Sequence, residues 1–282
     1  MYDQASSLRR QVHSKEAKTL AIISGKGGVG KSNIALNFSL ELIRQQKKVL
    51  LFDLDVGMGN IDILLGLHAE KTIIDMFNEK LSIHEIIEKG PGGLAYIAGG
   101  SGLSDFFTMN QGNRDYFFVQ YQELTEFYDY ILFDMGAGAT KDSIFFILAS
   151  DECMVITTPE PTSITDAYSM VKHVASSQPD IPIYVVMNRS TTSDGKISLE
   201  RFKNVVDHFL HIDIKMLGII PEDKTVFTAV RRQIPYVLLN EQSTISKATK
   251  QLVRNYTTNT SGVNKIESTS FVQKLKQLLA GR

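Results

Sequence analysis

One stretch of the sequence, GKGGVGKS at residues 25–32, has the residue types and spacing needed to hold a phosphate group. Its glycines let backbone N–H groups close around phosphate oxygens, and a helix starting after it points its N-terminus at the anion. Lys31 can neutralise the β- and γ-phosphates, and the Ser32 hydroxyl can bind Mg²⁺. The stretch fits G-x-x-x-x-G-K-[ST] between a predicted strand and a predicted helix, which predicts a nucleoside triphosphate site. The residues predicted to surround the phosphates are Gly25, Lys26, Gly27, Gly28, Val29, Gly30, Lys31, Ser32 and Asn33.

Three aspartates lie where predicted strands end. Asp53 and Asp55 end the run KVLLFDLD, and Asp134 ends YDYILFD. Open α/β sheets place ligand-contacting residues at the carboxyl ends of their strands. Asp134 fits the carboxylate that holds Mg²⁺ through water, and Gly136–Gly138 after it fits a switch that moves when the γ-phosphate is present. For Asp53 and Asp55 the alternative is that they only cap the turn at residues 57–60.

Apolar runs of strand length recur along the chain and are nearly continuous rather than alternating, as in strands buried on both faces of a parallel sheet. Segments with a helical apolar period separate them, at 32–46, 114–127, 163–176 and 198–210. Repetition of strand and helix predicts an α/β fold: a single doubly wound, mostly parallel sheet with helices on both faces. The predicted strands lie at residues 19–24, 48–55, 94–99, 128–136, 153–158, 181–188 and 215–220.

The composition excludes several classes of protein. The 282 residues are 43% hydrophobic and 22% charged, as in ordinary globular chains, and 30 Lys+Arg against 31 Asp+Glu leave no overall basic charge for nucleic acid. A single cysteine, Cys153, allows no internal disulfide and no four-thiolate metal site. The six histidines show no metal-ligand spacing. We expect a cytoplasmic protein without a transmembrane segment.

Two terminal pieces stand apart from the predicted core at 18–254. Residues 1–17 are polar, with a short helix predicted near residues 5–12. Residues 255–270 are rich in Thr, Ser and Asn and predict a flexible linker. Residues 271–282 place an apolar stripe beside basic residues, which favours a reversible membrane anchor, with a helix packed on its own core as the alternative. The stripe consists of Phe271, Val272, Leu275, Leu278 and Leu279.

Taken together, GKGGVGKS, FDLDVGMGNID, DMGAG and TTPEPTSITDAY resemble the MinD/ParA family of deviant-Walker P-loop ATPases over about residues 18–250. Within it they are most similar to the MinD-like regulators of flagellar placement, the FlhG, YlxH or FleN branch. Two positions depart from the family pattern. Asn33 stands where relatives commonly carry Thr, and Gly136 where they often carry Pro; neither removes a predicted ligand.

The resemblance implies ATP/ADP and Mg²⁺ as cofactors and an ATP-dependent homodimer. It implies that Lys26 reaches the partner subunit's phosphates, so that hydrolysis depends on dimerisation. Asp55 would orient the attacking water, and Asp53 would support the magnesium shell with Ser32 and Asp134. Adenine is also favoured because no N-K-x-D guanine motif follows IPIYVVMN. The residues that the family pattern places near the base are Asn188, Arg189, Pro221, Glu222 and Asp223.

The flagellar resemblance also implies partners. Residues 3–9 match the D-Q-A-x-x-L-R signature, by which such proteins dock on the signal-recognition-type GTPase FlhF and stimulate its hydrolysis; the residues concerned are Asp3, Gln4, Ala5, Leu8 and Arg9. Flagellar C-ring components are further implied partners. The ATP dimer would reside on an anionic membrane surface at the cytoplasmic face and leave it on hydrolysis, since two tails share effective concentration.

One alternative function of a different class is kept: a ParA-type ATPase that rides on DNA. Near-neutral charge and the amphipathic tail weigh against it, because non-specific DNA binding needs clustered Lys and Arg on one face. Iron–sulfur carrier ATPases need paired cysteines, which a single Cys153 cannot supply. Tyrosine kinases of this scaffold end in a tyrosine-rich tail, whereas only Tyr256 lies beyond residue 240 here.

Overall fold

The apolar runs form a single sheet of eight strands. A computed structural model of the chain describes residues 16–55, 60–99, 111–138, 143–260 and 269–280. The strands are β1 Lys18–Ile23, β2 Val49–Leu54, β3 Glu88–Lys89, β4 Ala95–Ile97, β5 Tyr130–Met135, β6 Glu152–Thr157, β7 Ile183–Asn188 and β8 Lys215–Ile220. All pair in parallel except the two-residue edge strand β3, which is antiparallel to β4. The predicted doubly wound, mostly parallel sheet is confirmed.

Eleven α-helices are found within the described residues. They are α1 Lys31–Arg44, α2 Ile61–Leu65, α3 Ile73–Glu79, α4 Gln111–Phe127, α5 Ser143–Ala149, α6 Pro161–Ser177, α7 Thr192–Leu210, α8 Lys224–Arg232, α9 Tyr236–Leu239, α10 Thr244–Thr260 and α11 Phe271–Ala280. The sequence predicted α1, α4, α6 and α7, although α7 begins six residues earlier than expected. Helices α2, α3, α5, α8, α9 and α10, as well as β3, had not been predicted. Of these, α2, α3, α5 and α9 have seven residues or fewer, too few for a clear periodic signal.

The order of the strands places the ends of three of them side by side. It runs β3-β4-β2-β5-β1-β6-β7-β8, so that β1 lies between β5 and β6. In register, Asp53 of β2 lies beside Asp134 of β5, and Asp134 lies beside Ile22 of β1. The order of the strands reverses direction at β1. In open α/β sheets a crevice for ligands lies at such a switch point, at the carboxyl ends of the strands.

The sheet is covered on both faces because its strands are apolar on both faces. In β1, Leu20 and Ile22 pack with α1, α8 and α10, while Ala21 and Ile23 pack with α4, α5 and α6. Alternate residues of a strand point to opposite faces, so one apolar run serves two cores. No helix in the described residues is long and apolar enough to cross a membrane.

The predicted linker at 255–270 is wrong over its first six residues. Helix α10 continues to Thr260, and Tyr256 is fully buried within it. The Tyr256 hydroxyl donates to Glu152 Oε2 at 2.6 Å, and its ring lies edge-on to Phe38 and Tyr184. This Thr- and Asn-rich segment is helical here and is anchored to the core by Tyr256 and by Asn255 Nδ2, which donates to the Leu217 carbonyl at 2.8 Å. Residues 261–268 lie outside the described residues.

The predicted terminal helix exists as α11, but its apolar stripe does not face solvent. Phe271, Val272 and Leu275 are buried against α4 and α5, and the stripe is completed by the partly buried Leu278 and Leu279. The Phe271 ring lies 4.8 Å from that of Tyr121, 5.1 Å from Phe133 and 5.8 Å from Phe146, centroid to centroid. In this conformation the core-packed alternative is correct, and the residues predicted to bind the membrane are covered.

The last residue of the predicted N-terminal arm belongs to the core. Ala17 is buried, and its N–H donates to the carbonyl of Thr125 at 3.0 Å, so it already belongs to the core. The predicted partner-binding residues from Asp3 to Arg9 lie outside the described residues.

Candidate functional site

The predicted phosphate loop connects β1 to α1 at the crevice. Gly30 ends the loop with a left-handed φ of 91°, and its carbonyl accepts the first helical hydrogen bond, from Ile34 N–H at 3.0 Å. The first N–H groups of α1 therefore have no partner within the helix and remain available to an anion. The strand–loop–helix arrangement required for phosphate binding is confirmed.

Two glycines of this loop are required by close neighbours. A Cβ on Gly25 would lie 2.3 Å from the backbone carbon of Asp166 in α6, so the loop packs directly on that helix. A Cβ on Gly30 would lie 2.5 Å from Asn188 Nδ2. Asn188 in turn donates to the Val29 carbonyl at 2.7 Å, which fixes the loop against the end of β7.

Lys31 and Asp134 form a buried ion pair at the base of the loop. The Lys31 ammonium contacts Asp134 Oδ1, and both side chains are almost fully buried. Among the described residues, no donor reaches the other oxygen, Asp134 Oδ2. A buried carboxylate oxygen without a donor is uncommon in folded proteins and costs free energy unless something fills it.

These residues fit a magnesium ion. Mg²⁺ prefers carboxylate, hydroxyl and water oxygens. The unsatisfied Asp134 Oδ2 supplies one such acceptor, and the Ser32 hydroxyl, 3.4 Å from Lys31 Nζ, supplies another at the same place. Ser32 and Asp134 are therefore the residues that would hold the ion.

The Asp53 carboxylate accepts hydrogen bonds from backbone N–H groups of the segment that follows β2. Its Oδ2 accepts from Asn60 N at 2.7 Å and Ile61 N at 3.1 Å, and its Oδ1 accepts from Asp55 N at 3.1 Å. Burial, aided by the charge of Asp134, raises the pKa of Asp53 to about 7, and the three N–H bonds lower it only in part. Asp53 thus shapes the loop that carries Asp55, and its part in a magnesium shell stays a prediction.

Asp55 has a partner that the sequence did not reveal. Asn60 Nδ2 donates to Asp55 Oδ2 at 3.0 Å. Burial raises the pKa of Asp55 above its ordinary value, and the Lys31 charge opposes that rise. A Cβ on Gly136 would lie 3.2 Å from Asp55 Oδ1, so the segments after β2 and β5 meet at this carboxylate. The signal that could have identified Asn60 is the FDLDVGMGNID motif, which includes it.

The second lysine of the loop, Lys26, is bound within its own chain. Its ammonium lies 3.1 Å from Glu160 Oε2 and 3.0 Å from Thr162 Oγ1, at the start of α6. Both members of the ion pair are solvent-exposed. Glu160 and Thr162 had not been predicted as site residues, although both belong to the TTPEPTSITDAY motif.

The residues predicted near the base lie at the ends of β7 and β8. Asn188 is buried, whereas Arg189 is exposed with a left-handed φ of 54°, and Glu222 is exposed beside the half-buried Pro221. Asp223 has a structural task, because its carboxylate accepts from Thr225 N at 2.8 Å as the cap of α8 and from Ile245 N at 3.2 Å. Contact of these residues with adenine stays a prediction.

The fold and this site define a P-loop protein, built around a glycine-rich loop, a buried lysine and an aspartate at the end of a neighbouring strand. A family profile, described as the CobQ/CobB/MinD/ParA nucleotide binding domain, matches residues 20–236. The chain belongs to this family, and the predicted MinD/ParA resemblance is confirmed.

Individual relatives agree with the flagellar branch of the resemblance. The chain is 32% identical over 244 residues to the flagellum site-determining protein YlxH of Helicobacter pylori, covering 83% of each chain. It is 29% identical over 217 residues to the antiactivator FleN of Pseudomonas aeruginosa, covering 77% of this chain and 78% of the relative. A MinC:MinD cell division protein complex of Aquifex aeolicus contains a similar structure, with a TM-score of 0.71, 25% identity and coverage of 90% and 100%.

Proposed function

We propose that this protein is an ATP-driven switch: two copies hold Mg²⁺ and ATP between them and separate after hydrolysis. The observation that carries the proposal is the position of Lys26. It belongs to the phosphate loop, yet its ammonium lies at the solvent-exposed rim, where its partners among the described residues are Glu160 and Thr162. A cation so placed is available to a second subunit's phosphates, in the manner of an arginine finger.

Binding of ATP would rearrange the pair at the base of the loop. A phosphate that enters the loop competes with Asp134 for the Lys31 ammonium and takes the free N–H groups at the start of α1. Asp134, released from Lys31, and Ser32 would then hold Mg²⁺, and the bound ion would supply positive charge beside the transferred phosphoryl group. Asp55, held by Asn60, is the residue that we assign to orient the attacking water.

The product of this cycle is a change of state rather than a metabolite. The γ-phosphate favours one arrangement of the segments after β2 and β5, and its loss favours another. A relative named as a flagellum site-determining protein supports a role in flagellar number and placement. We assign the arm at residues 3–9 to stimulation of a signal-recognition-type GTPase of the FlhF kind, and we expect C-ring components among the partners.

Membrane binding by α11 requires the helix to leave the core. Its apolar residues cannot contact lipid while they pack on α4 and α5. A helix of ten residues binds lipid weakly by itself, whereas two helices on one dimer gain about 10²-fold in avidity or more. Release of α11 in the ATP dimer would therefore couple the nucleotide state to residence on an anionic membrane.

The ATPase proposal is tested by the rate per subunit as a function of protein concentration. We expect the specific rate to rise with concentration in wild type and to stay at the monomer level in Lys26→Ala. Lys71→Ala is the matched control, because Lys71 is also an exposed lysine in an ion pair, with Glu79 at 2.7 Å. A specific rate independent of concentration, with Lys26→Ala unchanged, contradicts the proposal.

The membrane and DNA alternatives separate in one co-sedimentation experiment. Full-length protein and a 1–270 truncation are mixed with anionic liposomes or with double-stranded DNA, each with ATP, ADP or no nucleotide. We expect ATP-dependent sedimentation with liposomes that the truncation abolishes. ATP-dependent binding to DNA without binding to liposomes favours the ParA-type alternative instead.

The arm is tested separately from the ATPase. Gln4→Ala is expected to lower the stimulation of GTP hydrolysis by the partner GTPase while the protein's own ATP hydrolysis stays unchanged. Equal stimulation by Gln4→Ala and wild type would remove Gln4 from the contact.

A further inference from the structure

A cleft of about 550 Å³ opens beside α4, at the point where the chain enters the fold. Its wall is the outer stripe of α4, formed by residues with helical spacing: Val119, Gln122, Glu123, Glu126 and Phe127. Two of these are large apolar residues left in solvent, with Val119 61% and Phe127 55% exposed. The opposite stripe, with Phe117 and Tyr121, is fully buried in the core.

The charge on the two sides of Phe127 is opposite. The cleft along α4 carries three carboxylates, those of Glu16, Glu123 and Glu126, and one imidazole. That imidazole, His84, lies 3.5 Å from Glu123 and edge-on to the Phe127 ring. A second groove on the other side of Phe127 is lined by Lys47 and Lys48. A basic apolar segment therefore fits the first cleft and is repelled from the second.

The sequence that leads into the cleft has the complementary pattern. Residues 8–15, LRRQVHSK, place Leu8 and Val12 four residues apart, and they contain two arginines, one lysine and no acid. Glu16, which lines the cleft, follows them directly, and Ala17 is fixed to the end of α4 by its bond to Thr125. Eight residues can span up to roughly 28 Å, so all of residues 8–15 can reach the length of the cleft.

We propose that residues 8–15 bind in this cleft of their own chain. Leu8 and Val12 cover Val119 and Phe127, and the basic side chains lie against Glu123 and Glu126. The contact is intramolecular, so its strength does not depend on protein concentration. If the arm also stimulates a GTPase, as the proposed function has it, then Leu8 and Arg9 serve two competing contacts, and the arm is withheld until the partner displaces it.

The test is hydrogen exchange of the full-length protein, followed by mass spectrometry of peptides from residues 5–14. In wild type we expect these amides to exchange at least ten-fold more slowly than in a Val119→Ser/Phe127→Ser variant. An Ile197→Ser/Val205→Ser variant is the matched control, because it removes two comparably exposed apolar residues from α7. Protection in β5 reports in every variant whether the core is intact.

The charge part of the proposal has its own variant. Glu123→Gln/Glu126→Gln should lower the protection of the arm, and added salt should lower it in wild type but less in this variant. Arm amides that exchange at the unprotected rate in wild type would overturn the proposal. Protection that disappears on dilution would also overturn it, because the occupant would then be the arm of a second copy. The readout needs no nucleotide or GTPase, so its failure is distinct from failure of the proposed function.

Discussion

The Lys26 ammonium and the Glu160 carboxylate lie 3.1 Å apart, at the mouth of the phosphate site and in water. An exposed ion pair contributes only about 0–1 kcal/mol, so a second subunit's phosphates can displace Glu160 at low cost. A pair of this strength can hold the lysine in the monomer without preventing the proposed dimer.

This pair predicts the behaviour of Glu160→Gln. Without the competing carboxylate, we expect the protein concentration for half-maximal ATPase activity to fall. The limit is about 30-fold, since a symmetric dimer displaces two such pairs and each 1 kcal/mol corresponds to about five-fold. Glu79→Gln, which removes the acid from the exposed pair with Lys71, is the control and should leave that concentration unchanged. A higher concentration requirement in Glu160→Gln would show that Glu160 supports the dimer instead.

Gly30→Ala is predicted to weaken nucleotide binding. The new methyl group would lie 2.5 Å from Asn188 Nδ2 at a φ of 91°, so that both the loop and its anchor to β7 must shift. We expect the affinity for a fluorescent ATP analogue to fall at least ten-fold. Gly93→Ala is the control, because Gly93 has a similar φ of 81° but its nearest neighbour is a methyl carbon 3.9 Å away. Equal effects on nucleotide affinity would mean that contact with Asn188 is unimportant.

The sequence predicted those parts of the fold whose signal is local. The buried strands are continuous apolar runs, and the phosphate loop is contiguous, so Lys31 and Ser32 could be assigned from spacing alone. The contact between Lys26 and Glu160 joins positions 134 residues apart, and no periodic pattern encodes it. The only sequence signal for Glu160 is its place in the TTPEPTSITDAY motif.

The two ends of the chain show a different limit. Residues 255–260 have the composition of a linker, yet they are helical, with Tyr256 buried in the core and Asn255 Nδ2 donating to the Leu217 carbonyl at 2.8 Å. In α11 the apolar stripe was predicted correctly. The same stripe can bind a lipid surface or pack on the protein core, and the sequence pattern does not distinguish these two environments. The complementary apolar surface, with Tyr121, Phe133 and Phe146, exists only after folding.

Asp53 predicts a pH dependence of stability in the nucleotide-free protein. The pKa of Asp53 is about 7 in the folded chain and 3.8 as its ordinary value, so the folded state binds the proton more tightly. The free energy of unfolding therefore falls as pH rises from about 4 to 7, by up to about 4 kcal/mol, and this contribution is constant above pH 7.

The measurement is urea unfolding of wild type and Asp53→Asn with EDTA, at several pH values between 5 and 8. We expect the stability of Asp53→Asn relative to wild type to improve with rising pH until about pH 7. Asp75→Asn is the control, because the bonds to Thr72 lower the pKa of Asp75 and its difference from wild type should stay constant over this range. A constant difference for Asp53→Asn as well would mean that Asp53 is ionised throughout.

Asp151→Asn is predicted to release α11 without altering the helix itself. Asp151 Oδ1 lies 3.0 Å from Lys274 Nζ, while Oδ2 accepts from the N–H of Thr19 at 3.0 Å and its hydroxyl at 2.8 Å. An asparagine can keep its oxygen toward Thr19 and turn its amide toward Lys274, which removes the attraction for α11 and leaves the start of β1 intact. The apolar stripe and the positive charge of α11, which would contact an anionic membrane, are unchanged.

We therefore expect Asp151→Asn to sediment with anionic liposomes without ATP. Its partition coefficient should be about three- to ten-fold above that of wild type, because the lost half-buried pair is worth roughly 1 kcal/mol. Asp213→Asn, which breaks the exposed pair with Lys203 at 3.0 Å, is the control and should bind as wild type does. If Asp151→Asn binds no better than wild type although the 1–270 truncation loses ATP-dependent binding, then the contact with Asp151 does not restrain α11. Release of α11 would in that case depend on the aromatic contacts of Phe271. ATP would have to weaken these contacts by moving α5, against which Phe271 packs.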